Sequence, residues 1–140
     1  MTTGVNPQSP VRRVLLVDDN ADANLILSIS LRLNGYAVQS CISGQQALEI
    51  TQTWTPHAIL LDISMPGMDG YETCRRLREQ PGGDQAVIVA VTGYGQEETR
   101  RRTREAGFDN HLVKPVDVAA LPNLLSELID QKNADAAIDS

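Results

Sequence analysis

Lysine is nearly missing from this chain. Of its twelve cationic residues ten are arginine, and only Lys114 and Lys132 are lysine. Cysteine is scarce as well: Cys41 and Cys74 stand far apart, with no paired-cysteine spacing around either. That excludes a disulfide framework and a zinc site, and both residues read as reduced, packed thiols. Net positive charge is lacking, since 18 acidic residues against 12 basic ones give -6. With no positive field to displace phosphate counterions and few aromatics to interleave, direct nucleic-acid binding is disfavoured. The longest strongly apolar run, Ala86 to Val91, falls far short of the about 20 residues that cross a bilayer. No basic start followed by a long apolar stretch opens the chain. Neither membrane insertion nor a secretion signal is therefore expected, and the expected location is cytoplasmic.

What is present is an alternation of short apolar runs and longer helical segments, in a length of 140 residues that suits one domain. Residues 1–10 are turn-rich and read as a flexible arm, 11–130 as the folded domain, and 131–140 as a flexible tail. Val14 to Val17, Tyr36 to Ile42, Ala58 to Leu61, Ala86 to Val91 and Leu112-Val113 read as strands. Between them, Ala21 to Asn34 reads as a helix facing the core with Leu25, Ile29 and Leu33, and Ser43 caps a second helix. Tyr71 to Gln80, Gln96 to Ala106 and the stripe Leu121, Leu124, Leu125, Leu128 and Ile129 supply three more. Five strands alternating with five helices imply an α/β domain: a doubly wound, five-stranded parallel sheet in order 2-1-3-4-5.

In such a fold, ligands bind beyond the carboxyl ends of the strands. The residues that follow the first, third, fourth and fifth strands are Asp18-Asp19, Asp62, Thr92 and Lys114. Three carboxylates at one edge repel each other, and a divalent cation removes the conflict. Oxygen-only ligands without nearby Cys or His favour Mg2+, with Mn2+ as the substitute. Lys114 is the one lysine of the predicted folded part, and its compact ammonium suits a phosphoryl oxygen beside a metal. Thr92 adds a hydroxyl donor, and Gly93 after it leaves room for a small group. Acids, Mg2+, lysine and threonine make a phosphoryl-transfer set in which a carboxylate can be the nucleophile. Asp62, alone at a central strand end, is the better candidate; the Asp18-Asp19 pair is better arranged to hold the cation.

Four segments now stand in order: Val17 to Asn20, Leu60 to Gly70, Val91 to Gly93 and Val113 to Pro115. Together they resemble the receiver domain of two-component response regulators, with its CheY-like, flavodoxin-like fold, over about Arg12 to Asp130. The resemblance implies that Asp62 takes a phosphoryl group from a phosphohistidine on a histidine kinase or histidine phosphotransfer protein. It implies Mg2+ ligation by Asp19, Asp62 and the backbone carbonyl of Ser64, with Asp18 acting largely through water. Lys114 would pair with the phosphoryl group, and the peptide before Pro115 would be cis. Thr92 would turn toward a phosphoryl oxygen and reshape the face of the fourth helix, fifth strand and fifth helix, which controls a downstream protein target. Ser64 and Tyr94 match positions that tune access of water to the aspartyl phosphate. Three residues before Lys114, where the family usually has Tyr or Phe, stands His111. It is read either as a half-exposed polar residue at a strand start or as the rotating switch ring with a titratable tip. On the second reading, His111 changes orientation between roughly pH 5.5 and 8. Partner binding that stays equal across that range in wild type and His111→Phe removes it.

Arg100, Arg101, Arg102 and Arg104 lie among Glu97, Glu98 and Glu105 on a helix with hardly any large apolar residue. Pairs at i, i+4 such as Glu97–Arg101 and Glu98–Arg102 explain the charge as a solvated face. Weak anchoring beside Thr92 also suits a switch element, and the arginines could dock an acidic partner. In the family, the outer surface of the first helix meets the histidine-bearing helix of the donor. Three other functions fit the residues less well. An aspartyl-phosphate phosphatase wants a second acid two residues after the nucleophile, where Ser64 stands. A flavodoxin-like cofactor carrier wants Ser, Thr and Gly in its first loop, where Asp18-Asp19 would repel phosphate. A degenerate scaffold would have lost acceptor-site residues that are all here. No output domain fits this length, so the expectation is a stand-alone receiver or one cut from a hybrid kinase, monomeric or weakly dimeric on phosphorylation. It would act on itself rather than turn over an external substrate.

Overall fold

Three short apolar runs become the central strands, buried on both faces, and two more polar runs become the partly exposed edge strands. In a computed structural model, which describes residues 11–65, 69–93 and 97–139, they are β1 (Arg13–Val17), β2 (Ala37–Cys41), β3 (Ala58–Asp62), β4 (Val87–Thr92) and β5 (Asn110–Val113). All pair in parallel, in the order β2-β1-β3-β4-β5. The helices between them are α1 (Ala21–Leu33), α2 (Gly44–Ile50), α3 (Gly70–Glu79), α4 (Glu97–Ala106) and α5 (Leu121–Asp139). The doubly wound order is the one the alternation implied. Side chains alternate between two apolar layers: Leu15, Ile59 and Ile88 pack toward α2 and α3, while Val14, Leu16, Leu60 and Val89 pack toward α1 and α5.

Register decides what meets at the edge. Val17 pairs with Leu61, Asp62 with Val91, and Thr92 with Val113. Neighbouring strands are about 4.8 Å apart, so Asp18 stands beside Asp62, with Thr92 and Lys114 one and two positions further along the same edge. The acceptor loop is held close by a glycine: a Cβ on Gly70 would come within 2.7 Å of Ile63 Cα, so α3 can begin directly against the residue after Asp62. At the other end of the sheet Gly35, at φ 89, turns the chain from α1 into β2 in a conformation other residues avoid.

Two expectations need correction. Leu25, Ile29 and Leu33 do not face the core; they are 58%, 50% and 81% exposed, and Ile26 joins them on the surface. The buried side of α1 carries Asn24, Ser28 and Leu31 instead. The physical reason is the amide of Asn24, whose Nδ2 donates to the backbone oxygens of Asp18 and Cys41 at 2.9 and 3.2 Å and sets the rotation of the helix. The second correction is at the far end. Residues from Gln131, expected as a loose tail, continue α5 through Asp139. No glycine or proline interrupts them, and Lys132 is tied to Asp109 at 2.8 Å. The α5 stripe itself behaves as read: Leu121, Leu125 and Ile129 are buried. Both cysteines are buried and free, and burial pushes each thiol up to about 11, so neither is a reactive thiolate. Among the described residues, no helix is long and apolar enough to cross a membrane.

Asp109, just before β5, pins the sheet's amino end. Its Oδ2 accepts from Arg78 at 2.8 Å and from the Ile88 N–H at 2.9 Å, and its Oδ1 accepts from Lys132. Burial alone would raise its carboxyl, but the hydrogen bonds from Lys132, Ile88 and Arg78 outweigh that and hold it below the usual range. A carboxyl depressed in the folded state contributes stability that is fully present above its unfolded pKa, about 3.9, and is lost as pH falls through the folded value. Asp109→Asn is therefore expected to cost about 2 kcal/mol in urea unfolding at pH 7. The difference from wild type should shrink below about pH 4. Arg75→Ala, at an exposed pair with Glu72, should stay within about 0.5 kcal/mol.

Candidate acceptor site

The loops after β1 and β3 are built to hold carboxylates. Asp18 Oδ1 accepts the N–H of Asn20 at 2.9 Å, and Asn20 in turn caps α1 by accepting from the N–H groups of Asp22 and Ala23. Asp62 closes β3 with only 3% of its surface exposed. Its Oδ1 accepts from both the N–H and the hydroxyl of Ser64, at 2.8 and 2.6 Å, and its Oδ2 accepts from Lys114 Nζ at 2.7 Å. Lys114 Nζ also lies 3.8 Å from Asp18 Oδ2. Carboxylate oxygens of Asp18, Asp19 and Asp62 all fall within 4.8 Å of one another. Residues from β1, β3 and β5 that are nearly a hundred positions apart thus share one edge.

The charges there are in conflict. Burial raises Asp18, and Asp62 and Asp19 raise it further, against the Asn20 N–H and Lys114; the net direction is up. Burial would raise Asp62 too, but the Lys114 hydrogen bond and the Ser64 hydroxyl and N–H win, and it lies below the usual carboxylate range. Lys114 is raised, chiefly by its hydrogen bond to Asp62. Asp62 is therefore an ionised, oriented carboxylate, and Asp18 is a carboxyl whose charge is disfavoured by burial and by its acidic neighbours. Three converging oxygen donors with no Cys or His among them fit a hard divalent cation.

The sequence-predicted residues divide as follows. Asp18, Asp19, Asp62 and Lys114 come together. Thr92 ends β4, buried, and its backbone oxygen accepts the Lys114 N–H at 2.8 Å, which aligns the two strand ends. Among the described residues, a Cβ at Gly93 would meet nothing within 4 Å, in keeping with room for a small group. The Lys114–Pro115 peptide is cis, as the resemblance implied. His111 lies half-buried in β5, opposite Ala90. Tyr94 lies outside the described residues, as do the side chains of Glu97 and Glu98, and with them the two ion pairs expected on α4. An open cleft of about 460 Å3 between α1 and residues 115–118 leads to Asp62 and Lys114, walled by Ala23, Ile26, Leu27, Val116 and Val118. Asn20, Asn24 and the hydroxyl of Ser64 were missed as site supports. An Asn right after the acid pair was a legible cap signal, whereas Asn24 gave none.

Fold and site together define a doubly wound domain with an acid–lysine centre at its switch point. The chain belongs to the response regulator receiver domain family, which matches residues 14–126. It is 34% identical over 114 residues to an uncharacterized 14.6 kDa protein of Leptolyngbya boryana, covering 81% of this chain and 87% of that one. It is 35% identical over 128 residues to the response regulator MprA of Mycobacterium leprae, covering 91% of this chain and 55% of that protein. The chain thus spans little more than half the length of the MprA regulators it matches. Among solved structures it is similar to the chemotaxis response regulator CheY4 of Vibrio cholerae, with a TM-score of 0.80, 28% identity, and 85% and 99% of the two chains covered. A putative response regulator from Chloroflexus aurantiacus gives 0.80 at 30% identity, covering 86% and 99%. Receiver domains of this kind are signalling modules of two-component systems, not turnover enzymes.

The stress on Asp18 has a measurable consequence. A carboxyl raised in the folded state removes stability as pH rises from the unfolded value through the folded one. In chelator at pH 7, Asp18→Asn, which keeps an acceptor for the Asn20 N–H, is expected to melt a few degrees above wild type. The gap should close toward about pH 4. An unchanged or lower melting temperature at pH 7 would mean that burial and the neighbouring acids do not penalise the Asp18 charge.

Proposed function

We propose that Asp62 accepts a phosphoryl group from a phosphohistidine on a histidine kinase or histidine phosphotransfer protein, and that the phosphorylated state switches binding of a downstream protein. The observation that carries this is the pairing of a buried, ionised Asp62 with Lys114 at 2.7 Å inside a triad of carboxylates. An oxygen of Asp62 attacks phosphorus, the P–N bond to the donor imidazole breaks, and its electron pair leaves with the imidazole. Ser64 and Lys114 fix the carboxylate before attack, so little reorganisation is needed. Lys114 then exchanges its partner, from the Asp62 oxygen to a phosphoryl oxygen. Asp18, Asp19, Asp62 and the backbone carbonyl of Ser64 are the groups that would hold Mg2+ (or Mn2+). That ion, when bound, neutralises charge on the transferred group.

Thr92 follows the phosphoryl oxygen on this reading and draws the start of α4 inward. Little holds α4 against that movement, since Thr103 and Ala106 are the buried residues described on it. The α4–β5–α5 face, with His111 as its ring, is then the output surface. On the input side, the exposed Leu25, Ile26 and Ile29 of α1 flank the cleft and offer an apolar seat for the donor's histidine-bearing helix. A monomer, or a dimer formed weakly on phosphorylation, in the cytoplasm, without direct nucleic-acid or membrane contact, fits the charge and the sequence.

The test is intact mass after incubation with acetyl phosphate. The chain should gain one phosphoryl group with Mg2+ and none with chelator, and Asp62→Asn should gain none. Lys114→Gln should label about a hundredfold more slowly. Metal-independent labelling, or labelling of Asp62→Asn, would overturn the reading.

A further inference from the structure

Asn24 is an unexpected residue to bury. Asparagine forms helices poorly, yet this one stands in the first turns of α1 with 5% of its surface exposed. Its amide is only half satisfied. Nδ2 donates to the backbone oxygens of Asp18 and Cys41 at 2.9 and 3.2 Å, while among the described residues Oδ1 has no partner. A buried acceptor left unpaired is costly, and an apolar side chain would cover the same face without that cost. Cys41 O gains little from Asn24, because the Asp18 N–H already donates to it at 3.1 Å. Among the described residues, the bond to Asp18 O is the one without such a substitute.

That oxygen belongs to the peptide that joins Asp18 to Asp19. A peptide is planar, so holding its oxygen fixes the direction in which the chain delivers the next Cα. The rest of the loop is tied as well: Asp18 Oδ1 accepts the Asn20 N–H at 2.9 Å, and the Asn24 N–H donates to Asn20 O at 3.2 Å. The acid pair and the first turn of α1 thus form one hydrogen-bonded unit, in which Asn24 is bonded to both Asp18 and Asn20. Asp19 itself is exposed, yet its carboxylate falls within 4.8 Å of those of Asp18 and Asp62. An exposed carboxylate is not placed by packing; its backbone places it.

We infer that Asn24 is a positioning residue for the cation site: its amide fixes the Asp18–Asp19 peptide, so that Asp19 is presented beside Asp62 before an ion arrives. Preorganised oxygens hold a hard cation more tightly, because less chain freedom is lost when it binds. The inference rests on the reading that these acids hold a divalent cation, and extends it to a residue that acts through the backbone of Asp18 rather than on the ion.

The probe is Mn2+, followed by loss of its free-ion EPR signal on titration with the full chain, well below the melting temperature. Wild type should bind the ion saturably, and Asp19→Asn should bind it much more weakly. Asn24→Ala should raise the Kd about tenfold, whereas Ser28→Ala, buried on the same face of α1 one turn further on, should change it by less than about twofold. Circular dichroism melts in chelator report what each substitution does to the fold; a merely structural Asn24 would lower the melting temperature and leave the Kd alone. If Asn24→Ala does not fold, Asn24→Ser takes its place, since its hydroxyl is shorter by a bond and falls short of Asp18 O, and the same rise is expected. An unchanged Kd in the Asn24 variant, or an equal rise in Ser28→Ala, with wild type and Asp19→Asn behaving as stated, would overturn this inference alone. No saturable binding by wild type, or unweakened binding by Asp19→Asn, would overturn the cation reading and this inference with it.

Discussion

A 2.7 Å ion pair between Lys114 and Asp62 holds together an edge that would otherwise repel itself. Three carboxylates lie within 4.8 Å there, and the parallel register of β1 and β3 sets Asp18 beside Asp62. The chain tolerates this local frustration because the strands beneath are among its most buried elements; β3 and β4 are buried throughout. Stability is drawn from the sheet and given up at its carboxyl edge, a common arrangement where function needs poised charge. Lys114 is then more than a cation: it stabilises the resting site and, on the proposed reading, follows charge when the acceptor changes.

The two ends of the sheet are treated differently. At the amino end Asp109 ties α3, α5, β4 and β5 through charged and backbone hydrogen bonds. Among the described residues, α4 is anchored through Thr103 and Ala106 in its second half, the half that leads to this same end, with Arg102 over the Tyr71 ring of α3. A helix fixed at its base and weakly held along its length can shift without unfolding the domain, which is what a two-state element requires. β5 joins the two regions, running from the Asp109 pin past His111 to Lys114.

The strands and the acceptor edge were legible because their signals are local: continuous apolar runs that each stop at Asp18, Asp62, Thr92 or Lys114. The rotation of α1 was not. Apolar residues occur almost all round that helix, so periodicity could not choose a face, and the choice falls to Asn24, a polar residue whose amide reaches across to β1 and β2. The end of α5 was misjudged for a related reason. The sequence after Asp130 is polar, and only the long-range partner of Lys132 reveals why a helix persists there. Ser64 was noted for its carbonyl and its position, yet its hydroxyl bond to Asp62 depends on a turn that spacing does not specify.

Chemical trapping of the acceptor tests the central claim most directly. After incubation with an acyl phosphate and Mg2+, borohydride reduction converts a phosphorylated aspartate to homoserine, and peptide mass mapping locates it. The account predicts homoserine at position 62 alone, absent when chelator replaces the metal. Homoserine at position 18 or 19, or none anywhere in a chain that binds Mg2+, would contradict it.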